Sequence, residues 1–161
     1  KAGLNAARQK RFTEAIPRLE AALQKDLGSS QRAEATMGLM ESYLSVGDAA
    51  GALRLTNSKT INDGYYHLLC GRTFVMLGKY DRAIECFGNA QTIPSAYKTS
   101  IVREATYLWA KTLDEVFKIR PNSENKRACL RAWQQFSKAF CAKGAAEHCR
   151  DAQERIASFA P

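Results

Sequence analysis

The chain has 161 residues and a formal net charge of +8, with 45% hydrophobic and 25% charged residues. These are the proportions of an ordinary soluble globular domain, long enough to bury roughly 70% of the surface its unfolded chain would expose. No apolar run approaches the roughly 20 residues a membrane-crossing helix needs, so an integral helical membrane protein is excluded.

The chain opens Lys1-Ala2-Gly3-Leu4, with no initiating Met and no secretory leader pattern. It is expected to be a piece of a longer protein whose first helix is already under way. The first complete element is ARQKRFTEAIPRLEAALQKD, where Phe12, Ala15, Leu19 and Ala22 recur along one helical stripe. Next comes EATMGLMESYLSVGDAAGALRLTNSK, two helical patterns around a turn at Val46-Gly47, with Tyr43 before it and Ala52 after it. Gly64 to Tyr97 follows, a 34-residue unit with helices expected over about 64–77 and 81–93. Asp81 is placed to cap the second helix, and Pro94 to end it. The segment IVREATYLWAKTLDEVFKI is a long helix; RPNSEN breaks it, with Asn122-Ser123 as turn and N-cap. Cys129, Ala132, Trp133, Phe136, Ala139 and Phe140 then form one helical stripe, and a last helix carries Ala145, Cys149, Ala152, Ile156 and Phe159 on one face. Its other face, including Arg155, is expected in solvent.

Within Gly71 to Pro94 (GRTFVMLGKYDRAIECFGNAQTIP), small residues sit where two helices must cross closely and bulky ones fill between them. Gly71, Leu77-Gly78, Tyr80, Ala83, Phe87, Ala90 and Pro94 stand in the order that resembles a tetratricopeptide repeat (TPR). The other segments resemble it less closely. In the second, Met40 stands where a small residue belongs and Thr56 where an aromatic belongs, and the unit is about three residues short. The resemblance implies an all-α fold: an α-solenoid of stacked antiparallel helix pairs in a right-handed superhelix, closed by a capping helix. It implies one domain over 1–161, with repeats at about 1–29 (truncated), 33–63, 64–97 and 101–142 and the cap at 145–159.

No catalytic constellation is present: no nucleophile elbow, phosphate-binding glycine loop or metalloprotease helix. An enzyme, a cofactor and a metal site are therefore not expected. His67 reads as a packing residue. Cys141, His148 and Cys149 offer three ligand types, but helix neighbours diverge by about 100° and do not readily face one ion. The five cysteines (Cys70, Cys86, Cys129, Cys141, Cys149) lack CxxC spacing. They read either as reduced core thiols, which favours the cytoplasm, or as hairpin-crossing disulfides in an exported protein, with Cys70 opposite Cys86 and Cys141 opposite Cys149.

What the resemblance implies about function is a protein-binding scaffold whose concave face is lined by the first helix of each pair. The positions that face it in such repeats are Glu34, Met37, Glu41, Leu44 and Ser45, then Tyr65, Leu68, Arg72, Val75 and Met76, then Glu104, Tyr107, Lys111, Asp114 and Glu115. The candidate groove is drawn from these as Met37, Glu41, Tyr65, Leu68, Arg72, Met76, Tyr107 and Lys111. Tyr and Met are expected to hold apolar anchors, and Arg72 and Lys111 to bind carboxylates of a partner. The carboxylate clamp of chaperone-binding repeats is absent, so an EEVD tail is not the expected ligand. The alternative is a basic surface at Lys118, Arg120, Lys126, Arg127 and Arg131 that binds an anionic partner, whether acidic protein, nucleic acid or lipid headgroup. Aromatics are not interleaved there, which argues against nucleic acid.

Overall fold

Alternation of apolar stripes with turn residues folds this chain into helices throughout. The computed structural model describes residues 1–95, 98–141 and 148–159. Among them every regular element is an α-helix: α1 (Ala2–Arg8), α2 (Phe12–Leu23), α3 (Ser29–Ser45), α4 (Ala49–Leu53), α5 (Gly64–Met76), α6 (Tyr80–Thr92), α7 (Lys98–Ile119), α8 (Ser123–Phe140) and α9 (Cys149–Ser158). Consecutive helices pack as antiparallel pairs, and α1, α3, α5 and α7 stack side by side.

Turn chemistry sets the boundaries. Lys10, Gly47 and Gly78 adopt positive φ (57°, 81° and 67°), the left-handed conformation that ends a helix and reverses the chain. The carboxylates of Asp48 and Asp63 accept from the backbone N–H of Gly51 and Tyr65, each at 2.7 Å, and Asn122 accepts from Asn125 N–H at 2.8 Å. Asp81 does not cap α6. Lys79 holds the cap position, Asp81 lies in the first turn, and its carboxylate pairs with Arg120 at 3.4 Å. The expected turn at Gly144 and the start of the cap at Ala145 lie outside the described residues; α9 is described from Cys149.

Close approach at the small positions is direct. A Cβ on Gly71 would stand 2.4–2.8 Å from three ring atoms of Phe87, and one on Gly3 would stand 2.8 Å from Leu19 Cγ. In α3–α4 the bulk changes sides: Met40 and Tyr43 on α3 are buried, and a Cβ on Gly51 of α4 would meet the Tyr43 ring at 2.6 Å. Large meets small here between Tyr43 on α3 and Gly51 on α4, and Met40 is itself fully buried.

Two apolar cores share α7. The larger runs from Ala6 to Ala105, and the smaller joins Tyr107 and Ala110 to Trp133, Phe136, Cys149, Ala152 and Phe159. Of the expected α8 stripe, Ala139 is exposed while Cys129, Ala132, Trp133 and Phe136 are buried. Cys141 and Cys149 are joined by a disulfide, whereas Cys70, Cys86 and Cys129 are free. The reading of five reduced thiols is therefore overturned for one pair, and the alternative holds for one hairpin of the two. Thiol titration of the denatured, unreduced protein should count three groups, rising to five after reduction; five before reduction would contradict the bridge.

Candidate functional site

The A-type helices enclose a cleft of 890 Å³, larger than the 680 Å³ depression between α2, α3 and α4. Its walls come from α1 (Leu4, Arg8), α3 (Glu34, Met37, Glu41), α5 (Tyr65, Leu68) and α7 (Ile101, Glu104), with the loop of Thr60 to Asp63 at one end. The helix period explains the set. Residues three and four apart share a face, so 34, 37 and 41 on α3 meet 65 and 68 on α5 across the stack. Leu68 and Ile101 are buried beneath the floor, while Met37 and Tyr65 are half-buried and reachable.

Tyr65 is the polar centre of this cleft. Burial first, and then the charge of Glu41, push its phenol well above the usual tyrosine range. Glu104 adds to the rise, and the Arg72 guanidinium opposes it. The phenol is thus held protonated, as a donor, at any physiological pH.

The candidate groove residues divide accordingly. Met37, Glu41, Tyr65 and Leu68 line the cleft, and Arg72 acts on it through Tyr65. Met76 is 48% exposed in the last turn of α5 and lies off the cleft. Tyr107 is withdrawn from it altogether: buried in the smaller core, it donates to Asp151 Oδ2 at 2.8 Å and stacks on His148 at 3.7 Å. Lys111 is exposed, with Nζ 5.5 Å above the Tyr107 ring. The cause is α9, which supplies the partners of this stripe of α7: Asp151 for Tyr107, Arg155 for Asp114, and Phe159 against Phe117. Asp114 is enclosed by the same helix. Its carboxylate accepts from Arg155 Nε at 2.8 Å, from Trp133 Nε1 at 3.0 Å and from the Cys129 thiol. Arg155 is therefore turned inward, not out to solvent.

Residues the sequence reading missed are Arg8 and the loop residues Asn62 and Asp63; no helical periodicity reports where a loop will cross a groove mouth. Elsewhere, the Cys141–Cys149 bridge leaves neither sulfur as a metal ligand. His67 stands edge-on to Tyr66 at 5.5 Å. Cys70 first, and then His67, lower the Cys86 thiol, while Cys86 and burial raise Cys70.

The basic surface is exposed but partly neutralised. Lys118 pairs with Glu115 at 2.6 Å and Arg120 with Asp81 at 3.4 Å. Lys126 lies 5.9 Å from the Phe159 ring and Arg127 donates to the Ser123 carbonyl at 3.2 Å, while Arg131 is exposed on α8.

No protein-family model matches this sequence, and no curated protein matches it. The fold is similar to the solved structure described as MamA MSR-1 C2, with a TM-score of 0.54 over 99% of this chain and 95% of that one. The chain has a TPR-like helical fold. At 19% sequence identity the likeness is one of fold alone, and it carries no ligand across. Among the described residues no helix is long and apolar enough to cross a membrane.

Proposed function

We propose that this chain is a non-catalytic interaction scaffold that holds an extended segment of a partner protein in the cleft between α1, α3, α5 and α7. The observation that carries this reading is the cleft itself: 890 Å³, open on one face, with a half-buried apolar floor and polar groups around it. Stacked helix pairs generate such concave surfaces as a consequence of their small rotation per repeat. The groove set is Met37, Glu41, Tyr65 and Leu68, with Arg72 behind it. The repeat divisions given above and the single-domain reading belong to the same proposal. The disulfide favours an oxidising compartment over the cytoplasm, because such bridges are rare where thiols are kept reduced.

The test begins with random peptides displayed on phage and panned on the whole chain, followed by hydrogen exchange with the selected peptides bound. Protection is expected over residues 34–41 and 65–72. Met37→Trp fills the floor of the cleft with a larger rigid side chain and should weaken those peptides by more than about tenfold, a loss on the scale of one anchor residue. Protection confined to residues 118–131, with Met37→Trp binding as well as the wild type, would transfer the function to the basic surface.

A further inference from the structure

The cleft and the molecule as a whole differ in the sign of their charge. The protein carries +8. Yet the cleft is lined by the carboxylates of Glu34, Glu41, Asp63 and Glu104 against a single guanidinium, that of Arg8. Lys111, expected to meet a partner's carboxylate, stands over Tyr107 outside the cleft, and Arg72 is not among the residues that line it. The carboxylates come from three different elements and converge on one apolar floor, so they are not the solvated face of one helix. The cleft is the site; its charges choose the occupant.

From this we infer that the partner segment is cationic: an extended stretch that sets Lys or Arg side chains against Glu34, Glu41 and Glu104 and an aliphatic or aromatic side chain onto Met37 and Leu68. This rests on the proposed groove function and names its ligand class. The physical reason is complementarity. A segment bearing acidic groups would meet three surplus negative charges at close quarters, and like-charge juxtaposition in a partly desolvated site is costly. Long cationic side chains also suit the geometry, because their methylene stems cover apolar floor while their heads reach the rim. Arginine has the further advantage of a two-pronged donor that fits a carboxylate.

The panning experiment separates this inference from the groove reading, because the two sources of charge predict opposite selections. The overall field of a +8 protein favours acidic peptides, whereas the cleft favours basic ones. At about 150 mM salt, where distant charges are screened beyond about 8 Å, the selected sequences should be enriched in Lys and Arg over the input library. The selected peptides should lose about tenfold in affinity on the combined change Glu34→Gln, Glu41→Gln and Glu104→Gln, three exposed or half-exposed pairs each contributing modestly. The double change Glu34→Gln and Glu104→Gln, both at exposed positions, should give an intermediate loss and guards against any effect of Glu41 on folding. Selection of acidic or neutral peptides that Met37→Trp still abolishes would overturn the cationic class and leave the groove in place. Binders indifferent to Met37→Trp would end both. Self-association of the wild type, lost both in the triple variant and on Arg127→Glu with Arg131→Glu, would give the cleft to a second copy and overturn a separate partner.

Discussion

Replacing Asp114 by alanine is expected to destabilise the protein by about 3 kcal/mol, enough to lower Tm by roughly 6–12 °C in a domain of this size. The carboxylate is only 13% exposed and accepts from three helix-spanning donors: Arg155 Nε from α9, Trp133 Nε1 and the Cys129 thiol from α8. Trp133 and Cys129 are almost fully buried, so truncating Asp114 strands an indole N–H that has nowhere else to donate. Arg155 loses its partner too, but it keeps 29% exposure and recovers part of its solvation. The opposite change, Arg155→Ala, should therefore cost only about 1 kcal/mol, since the carboxylate retains two of its donors. Thermal or urea unfolding of both variants, with the disulfide intact, measures the asymmetry. Equal losses, or a larger loss for Arg155→Ala, would mean that Asp114 is not the hub that joins α7, α8 and α9.

That hub was hidden in the sequence for a physical reason. Asp114 occupies a position that faces the groove in a repeat followed by another repeat, and Tyr107 and Lys111 share its stripe. Nothing in the period of α7 reports that α9 reaches this stripe, because the contacts join residues 41 and 44 positions apart. Asp151 meets Tyr107, and Arg155 meets Asp114, from a helix that the Cys141–Cys149 bridge ties to the end of α8. Side chains read as solvent-facing on α9, Arg155 above all, were classed by one-face periodicity, which assumes a single packed face. The α5–α6 hairpin was legible because its signals are local: Gly71 against Phe87, Gly78 at positive φ, Pro94 past the end of α6. The α3–α4 pair was read with less success because its bulk is inverted, Tyr43 on α3 facing Gly51 on α4. Packing requires only that large meets small; it does not require the large residue to be on the second helix. Of the eight candidate groove residues drawn from repeat positions, Met37, Glu41, Tyr65 and Leu68 line the cleft. The charge of the cleft could not be read from such positions, since that depends on Arg8, on the loop before α5, and on the removal of Lys111 from the site.

Gly71 and Gly88, one in each helix of the α5–α6 hairpin, should respond to alanine with opposite signs. In α5, a methyl at Gly71 would lie 2.4–2.8 Å from the Phe87 ring, which is itself fully buried and has no space to retreat into. Overpacking of this kind costs about 1–3 kcal/mol. Removing glycine from a helix returns up to about 1 kcal/mol, so Gly71→Ala should be destabilising by about 1–2 kcal/mol. Gly71→Val, with two further methyl groups and a stiff χ1, should lose about 3 kcal/mol or more. In α6, a Cβ at Gly88 would have no atom within 4 Å outside its own helix, and neither glycine has positive φ. Gly88→Ala therefore keeps only the helix-propensity gain and should stabilise by about 0.5–1 kcal/mol. The sequence marks the difference, since Gly71 stands at a small position of the repeat pattern and Gly88 does not. The decisive control is Phe87→Leu. That change is destabilising by itself, but it opens the space a methyl at position 71 requires, so adding Gly71→Ala to it should cost much less than adding it to the wild type. Chemical denaturation of the four proteins closes the cycle. Simple additivity would show that the methyl does not meet the Phe87 ring, and the small-residue logic of the α5–α6 crossing would then fail at the point where it was most clearly read.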